Sequence, residues 1–190
     1  MAMKSPDPLY STLTPTPMHA LAAVSPVAST HQDSAEYRKA LGCFATGVTV
    51  ITTHWQDTDW GMTCSSFASV SLQPRLVLWT IRKAASSREA YYRSGGFAIS
   101  VLAESQDRIA AKFATGDMAS RFAGVPMVRL PDKRQRLSEA VAWFDCSLHA
   151  LIDAGDHQIV VGQVLDFGWN DSQVLGYCRS KYSCLEAKAV

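Results

Sequence analysis

The sequence predicts an antiparallel β-barrel with helices packed at its periphery. About seven segments are rich in β-branched residues or alternate polar with apolar side chains, as strands do. About three segments with helical spacing of apolar residues lie between them, without the regular alternation of a parallel sheet. The hydrophobic content of 47% over 190 residues provides for one sizeable core. Mainly β structure therefore fits better than a doubly wound sheet.

Composition and charge exclude several classes of protein. The formal net charge of +1 leaves no basic footprint, so we expect no nucleic-acid partner. No apolar run approaches the ~20 residues of a membrane-spanning helix, so we expect no membrane partner. The five cysteines form no CxxC pair and the five histidines are scattered, which predicts no metal site. Free thiols in apolar segments favour a reducing, cytoplasmic location.

The amino-terminal segment, residues 1–32, is rich in Pro, Ser, Thr and Ala and predicts a poorly ordered arm. Its short apolar run does not fit a secretory signal. We expect the folded domain to span residues 33–186 and to begin with a helix. Asp33 and Glu36 have the spacing of a capping box, and the apolar face of this helix would carry Tyr37, Leu41 and Phe44.

Two strands are predicted after this helix. A β-branched run from Val48 to Thr53 is the strongest strand signal in the chain. The next strand is predicted from Gly61 to Leu72, with an apolar face that enters the core. Its other face carries four hydroxyls, those of Thr63, Ser65, Ser69 and Ser71. A row of small hydroxyls indicates a close-fitting polar ligand, and an ordinary Ser/Thr-rich strand is the alternative.

The residues that follow are typical of an anion-binding loop. A buried strand at Leu76–Ile81 ends in the cations Arg82 and Lys83. Ser86 and Glu89 have the spacing of a capping box and predict the start of a short helix. Hydroxyls, two cations and a helix N-terminus within one supersecondary unit are the parts of a phosphate site.

The remaining elements are predicted from their own spacing and flanking turn residues. They are a helix that ends at Arg93 before Gly95-Gly96, a strand at Phe97–Leu102, a helix at Glu104–Ala114 with Ile109, Ala110 and Phe113 inward, a loop at residues 115–126, an irregular stretch at residues 129–138, and strands at Val141–Ile152, His157–Phe167 and Val174–Tyr182. A tight turn at Asp153–Asp156 joins two of these strands.

Four blocks of the sequence carry a combined signal. They are YRKALGCFATGVTVITT from Tyr37, GMTCSSFASVSLQPRLVLWTIRKAASS from Gly61, FAISVLAESQDRIAAKFA from Phe97, and GDHQIVVGQV from Gly155. In order and spacing, with Tyr182 after them, they resemble the flavin reductase-like family, which has the FMN-binding split-barrel fold. The resemblance implies an antiparallel Greek-key split β-barrel.

The resemblance implies that the second block is half of a flavin site, whose hydroxyls, amides and lysine hold the phosphate and ribityl chain. The implied cofactor-binding residues are Thr63, Cys64, Ser65, Ser66, Thr80, Lys83, Ser86, Ser87, Ser100, Val101, Gln106 and Lys112. Relatives often have Asn at the position of Ser100, and serine reaches less far. They often have Pro at the position of Arg75, whose charge has no place in the implied site.

The resemblance further implies an NAD(P)H-dependent flavin reductase that uses FMN or FAD. The hydride donor would lie at the turn of the fourth block, and the implied donor-binding residues are Gly155, Asp156, His157, Arg121 and Tyr182. His157 is the catalytic candidate, acting by positioning or hydrogen bonding, because the flavin itself carries the hydride chemistry. A histidine that caps a strand is the structural alternative.

Partners are implied in the same way. Relatives are usually homodimers, and they pass reduced flavin to a separate flavin-dependent monooxygenase. NADH is favoured over NADPH because no arginine pair stands out for a 2′-phosphate. Three alternatives remain: a flavin or haem storage or sensor barrel without turnover, an electron carrier or oxidase that keeps its flavin, and a plain β-barrel interaction domain.

Overall fold

The computed structural model describes residues 31–185, which form mainly β structure. The helices in this range are α1 (His31–Leu41), α2 (Arg88–Arg93), α3 (Asp107–Thr115) and α4 (Met118–Arg121), and a 3₁₀ turn spans Glu104–Gln106. The strands are β1 (Thr46–Gly47), β2 (Thr49–Trp55), β3 (Thr58–Cys64), β4 (Ala68–Leu72), β5 (Arg75–Arg82), β6 (Gly96–Val101), β7 (Met127–Arg129), β8 (Gln135–Leu137), β9 (Ala142–Ala154), β10 (His157–Trp169), β11 (Val174–Cys178) and β12 (Lys181–Leu185). All pairings between these strands are antiparallel, as predicted. The predicted arm, residues 1–32, lies almost wholly outside the described residues.

The largest sheet has seven strands in the order β3-β2-β6-β9-β10-β5-β4. Its two edge strands, β3 and β4, are consecutive in the chain and are joined by Ser65, Ser66 and Phe67. In a flat sheet of this size the edges would lie about 29 Å apart, whereas so short a linker spans about 14 Å at most. The sheet therefore curls until its edges approach. Because β3 and β4 do not pair, the barrel stays split there, which confirms the predicted split barrel.

The strand predicted from Gly61 to Leu72 is therefore two strands, and that prediction was wrong at its centre. The alternation breaks within the linker, where the polar pair Ser65-Ser66 is followed by the apolar pair Phe67-Ala68, and a single strand does not account for that break. The face expected in the core is exposed in β4, where Leu72 is 86% exposed. The predicted row of hydroxyls is divided between opposite edges of the sheet.

Strand β2 explains how the core is arranged, because its residues Thr49 to Thr53 are all buried. Ile51 packs in one hydrophobic cluster with Trp79 and Phe97. Its neighbour Val50 points to the opposite face and packs in a second cluster with Phe113 of α3. Helix α3 thereby covers one side of the barrel with its inward residues as predicted.

Helix α1 differs from its prediction at both its start and its apolar face. It begins at His31, so Asp33 lies inside the helix rather than at its N-cap. The large apolar residues do not enter the core, since Tyr37 is 66%, Leu41 56% and Phe44 78% exposed. Such exposure of neighbouring large apolar side chains is typical of a contact surface, here called the α1 patch.

A second apolar surface lies on β4 and the end of β10. This sheet patch consists of Val70, Leu72, Leu165, Phe167 and Trp169, whose exposure ranges from 46% to 86%. Arg75, opposite Leu72 in the pairing of β4 with β5, lies over the Phe167 ring at 5.3 Å. The charge of Arg75, which has no place in the implied flavin site, is thus part of the sheet patch.

Two further predictions were wrong because short turns were not recognised. Residues 129–138, expected to be irregular, include the turn and the second strand of the β7–β8 hairpin. The single strand expected at Val174–Tyr182 is the β11–β12 hairpin. Its turn residues, Arg179 and Ser180, have φ values of 48° and 62°, a left-handed conformation that their residue types do not signal.

Candidate functional site

The linker between β3 and β4 places its two serine hydroxyls in different environments. Ser66 Oγ accepts hydrogen bonds from the Thr80 amide at 2.9 Å and the Thr80 hydroxyl at 3.0 Å. It also lies 3.0 Å from the thiol of Cys64, a buried residue. Ser65 is exposed, and within residues 31–185 its hydroxyl has no partner. Ser66 therefore holds the linker on β5, whereas Ser65 is available to a ligand.

The 82–87 loop, which connects β5 to α2, carries two more free hydroxyls. Helix α2 begins at Arg88 with Ser87 at its N-cap, one residue later than predicted. No side-chain hydrogen bond caps this helix, and Glu89 instead pairs with Arg93 at 3.5 Å, so the predicted capping box was wrong. The hydroxyls of Ser86 and Ser87 have no partner in the described part of the chain. Ser86 is exposed and so is free to bind a ligand, whereas Ser87 is only 5% exposed and is less accessible.

The 153–157 turn between β9 and β10 lies directly against this loop. As predicted the turn is tight, and Gly155 adopts a φ of 60°. The Lys83 amide donates to the Asp156 carbonyl at 2.9 Å. His157 lies opposite Arg82 in the pairing of β10 with β5. The fold thus brings together the second and fourth blocks of the sequence.

The His157 ring is oriented by its neighbour. His157 Nδ1 lies 2.8 Å from Asp156 Oδ1. The hydrogen bond from His157 holds the pKa of the Asp156 carboxyl below its usual range, so this carboxylate is charged at neutral pH. An ionised carboxylate accepts a hydrogen bond from Nδ1–H, which leaves Nε2 as the ring nitrogen available to a ligand.

Sequence reasoning missed a chain of polar side chains beside this turn. Arg88 Nε donates to Gln158 Oε1 at 2.6 Å, and Gln158 Nε2 donates to Asp153 Oδ1 at 2.7 Å. Asp153 Oδ2 lies 3.3 Å from Lys83 Nζ. A signal was present, because Gln158 lies two residues before the buried Val160 and so shares the inward face of β10. A polar side chain at such a position needs partners.

A second group of predicted residues lies where α3 and α4 meet β3. Thr63 Oγ1 donates to the Ala110 carbonyl at 2.6 Å. Arg121 Nη1 donates to the Gly61 carbonyl at 2.5 Å. The Lys112 ammonium donates to the carbonyl of Ala123, which follows α4. These side chains bind the helices to the strand, so in this conformation each of them already uses at least one donor within the protein.

Two predicted cofactor residues are buried and fully used by the protein. Ser100 is 0% exposed, and its Oγ accepts from the Leu137 amide at 3.1 Å. Gln106 Oε1 accepts from the Ala103 amide at 2.9 Å, and its Nε2 donates to the Glu139 carbonyl at 3.3 Å. Neither side chain can touch a ligand in this conformation, because each is enclosed and hydrogen-bonded to the backbone.

The last two predicted residues lie away from the 82–87 loop in the fold. Val101 is half-buried at the end of β6. Tyr182, on β12, packs against Tyr177 with ring centroids 5.6 Å apart. Partial burial, with smaller contributions from Tyr177 and Asp107, raises the pKa of Tyr182. Tyr182 therefore lies within electrostatic reach of the start of α3.

The described residues contain neither a candidate metal site nor a candidate membrane-spanning helix. No group of three or more His, Cys, Asp or Glu side chains among residues 31–185 could hold a metal ion. In that range no helix has the length and apolar character needed to cross a membrane. All five cysteines are free thiols.

Comparison with known proteins agrees with this geometry. Residues 41–186 match the family described as flavin reductase like domain. The chain is 40% identical over 148 residues to the reductase component of a flavin-dependent trigonelline monooxygenase from Acinetobacter baylyi. The matched region covers 77% of this chain and 47% of that protein. It is 39% identical over 151 residues to an FMN reductase (NADH) from Agrobacterium fabrum, which covers 76% of this chain and 82% of that protein.

A solved structure gives the same result. The NADH:FAD oxidoreductase of Streptomyces globisporus, in complex with NAD and FAD fragments, has a TM-score of 0.79 and 30% identity, covering 87% of this chain and 100% of that one. The chain spans about half the length of two of the curated relatives, 47% and 48%, and 65% of a third. The family match, over residues 41–186, nevertheless includes every strand from β1 to β12. The chain belongs to the flavin reductase-like family.

Proposed function

We propose that this chain is an NAD(P)H:flavin oxidoreductase that reduces FMN or FAD by hydride transfer. The observation that carries the proposal is the juxtaposition of the 82–87 loop, with its free hydroxyls, and the 153–157 turn, with its free imidazole nitrogen. The names of two similar proteins, FMN reductase (NADH) and NADH:FAD oxidoreductase, support it. An anion-binding loop beside an oriented histidine fits a phosphate-bearing flavin and its hydride donor.

The residues present fit the phosphate and ribityl chain of a flavin. Lys83 supplies a positive charge, and Ser65, Ser86 and Ser87 supply hydroxyls without protein partners. These four residues would hold the flavin, with Ser66 and Thr80 supporting the linker behind them. When bound, the flavin ring supplies the centre that accepts the hydride. Ser100 and Gln106, the two predicted cofactor residues that are buried, would act indirectly, by fixing the barrel wall.

The protein's own part in the reaction would be to orient the two reactants. Hydride transfer needs no protein nucleophile, so alignment accounts for most of the rate. His157 would place the nicotinamide through Nε2, while Asp156 holds its ring in one orientation. Gly155 lacks a side chain at the turn and would let the donor approach the backbone.

We propose NADH as the preferred donor and a separate monooxygenase as the recipient of the reduced flavin. Both similar reductases named above carry NADH in their names. The reductase component from Acinetobacter baylyi belongs to a flavin-dependent monooxygenase. Because Ser65 and Ser86 are exposed, the flavin site opens to solvent and suits a flavin that leaves after reduction.

We propose further that the chain is a homodimer in the cytoplasm. The α1 patch and the sheet patch expose large apolar side chains that a second copy would bury. Free thiols at all five cysteines fit a reducing compartment.

Initial rates test the proposed function. NADH and NADPH oxidation would be followed with FMN, FAD or riboflavin added to the purified protein. We expect turnover that saturates in flavin and is faster with NADH. Tight retention of flavin with slow NADH oxidation would identify a non-turnover flavin-binding protein instead. An interaction domain would show neither turnover nor a flavin-dependent rise in melting temperature.

A further inference from the structure

Gln158 is a buried side chain that uses both ends of its amide. The residue is 8% exposed, its Oε1 accepts from Arg88, and its Nε2 donates to Asp153. Asp153 in turn pairs with Lys83. Neither the family resemblance nor the proposed mechanism requires a residue of this kind at position 158.

The four residues of this chain belong to four different elements. Arg88 is the first residue of α2, Gln158 lies in β10, Asp153 lies near the end of β9, and Lys83 lies in the 82–87 loop. The hydrogen bond from Gln158, followed by that from Lys83, holds the pKa of Asp153 below its usual range. The carboxylate is therefore charged at neutral pH, and it pairs with the ammonium of Lys83.

We propose that Gln158 is a positioning residue that docks the 82–87 loop on the 153–157 turn. The inference rests on the proposed function, in which Lys83 faces the flavin phosphate and His157 the hydride donor. Loss of the Gln158 amide removes the acceptor of Arg88 and one of the two donors to Asp153, which loosens both ends of the loop. The separation between flavin and donor then varies, and hydride transfer slows.

A charge-swapped pair of variants tests the hydrogen-bond chain. In Gln158→Glu, the new carboxylate still accepts from Arg88 but faces the carboxylate of Asp153. In the double variant Gln158→Glu/Asp153→Asn, the amide at position 153 donates to the carboxylate, so the chain is restored with its polarity reversed. Gln163→Glu is the matched control, because Gln163 is exposed on the same strand.

The first readout is amide hydrogen exchange of a peptide covering residues 80–88, which needs no activity. It includes the Lys83 amide, whose partner is the Asp156 carbonyl. We expect exchange about fivefold faster in Gln158→Glu, and wild-type exchange in both the double variant and the control. Unchanged exchange in Gln158→Glu, or no recovery in the double variant, would overturn the proposal.

The second readout is NADH oxidation with saturating flavin. We expect kcat to fall about tenfold in Gln158→Glu and to recover in the double variant, while the control keeps the wild-type rate. Faster exchange with an unchanged kcat would mean that docking does not position the reactants, which also overturns the proposal. If the wild-type protein has no activity, the proposed function fails and the positioning role fails with it, whereas exchange still decides whether Gln158 docks the loop.

Discussion

The backbone amide of Lys83 donates to the carbonyl of Asp156 at 2.9 Å and joins two segments that are distant in sequence. One segment carries the free hydroxyls of Ser86 and Ser87. The other carries His157, whose Nδ1 is held by Asp156. Because the bond is between backbone atoms, replacing the side chain of Ser86, Ser87 or His157 removes neither its donor nor its acceptor. Each of these three side chains can therefore be tested separately.

Replacing His157 with alanine should weaken use of the hydride donor more than it weakens flavin binding. The imidazole Nε2 is the group proposed to hold the nicotinamide, and one hydrogen bond to a ligand corresponds to a change of about fivefold to tenfold in affinity. We expect the dissociation constant for NADH to rise by that factor in stopped-flow reduction, with the flavin dissociation constant unchanged. His149→Ala is the control, because His149 is exposed on β9. An unchanged rate and an unchanged NADH affinity would refute the role of His157.

Replacing Lys83 with methionine should discriminate between flavins. The ammonium is proposed to bind phosphate, and a charged hydrogen bond of this kind contributes about tenfold or more to affinity. FMN should therefore bind more weakly by that factor, whereas riboflavin, which lacks the phosphate, should bind as before. Quenching of flavin fluorescence measures both constants. Lys133→Met is the matched control, since Lys133 is also an exposed lysine paired with an aspartate, at 3.1 Å. Equal losses of affinity for FMN and riboflavin would mean that Lys83 does not bind the phosphate.

The two linker serines should separate stability from binding. In Ser66→Ala the Thr80 amide loses its acceptor, which should lower the free energy of unfolding by about 1–2 kcal/mol. In Ser65→Ala the exposed hydroxyl has no protein partner, so the free energy of unfolding should change by less than about 0.5 kcal/mol while flavin affinity falls. Urea denaturation and flavin titration measure the two effects. The interpretation fails if both variants lose stability equally.

Replacing Trp169 with aspartate should dissociate the proposed homodimer. Trp169 is 72% exposed in the sheet patch, and a charge there would have to be buried against the second copy. Light scattering coupled to size-exclusion chromatography should give a dimer mass for the wild-type chain and a monomer mass for the variant. Tyr92→Asp is the control, because Tyr92 is an exposed aromatic residue of α2, outside both patches. A monomeric wild-type chain would contradict the proposal.

Much of the fold could be predicted because local pattern and burial agree. The β-branched run of β2 is buried as its composition requires, and the glycine of the 153–157 turn adopts the left-handed conformation expected of it. Predictions failed where the decisive contact is distant. The alternation breaks at the β3–β4 linker, but the direction of the crossing is fixed by the bond between Ser66 and the distant Thr80.

The candidate site was predictable in part for the same reason. The serines and lysine of the 82–87 loop stand together in the sequence, and the family resemblance pointed to the 153–157 turn. Burial separated Ser100 and Gln106 from the ligand-accessible residues, and sequence spacing carries no information about that. Gln158 was missed because its two partners, Arg88 and Asp153, come from other elements and its role appears only once those elements pack.

The central claim is that the protein itself catalyses hydride transfer from reduced nicotinamide to flavin. The most direct measurement mixes protein and FMN with NADH under anaerobic conditions and follows the visible absorbance of oxidised flavin. We expect loss of that absorbance at a rate that is proportional to protein concentration and saturates with NADH. Flavin reduction no faster than in the absence of protein, for both FMN and FAD, would contradict it.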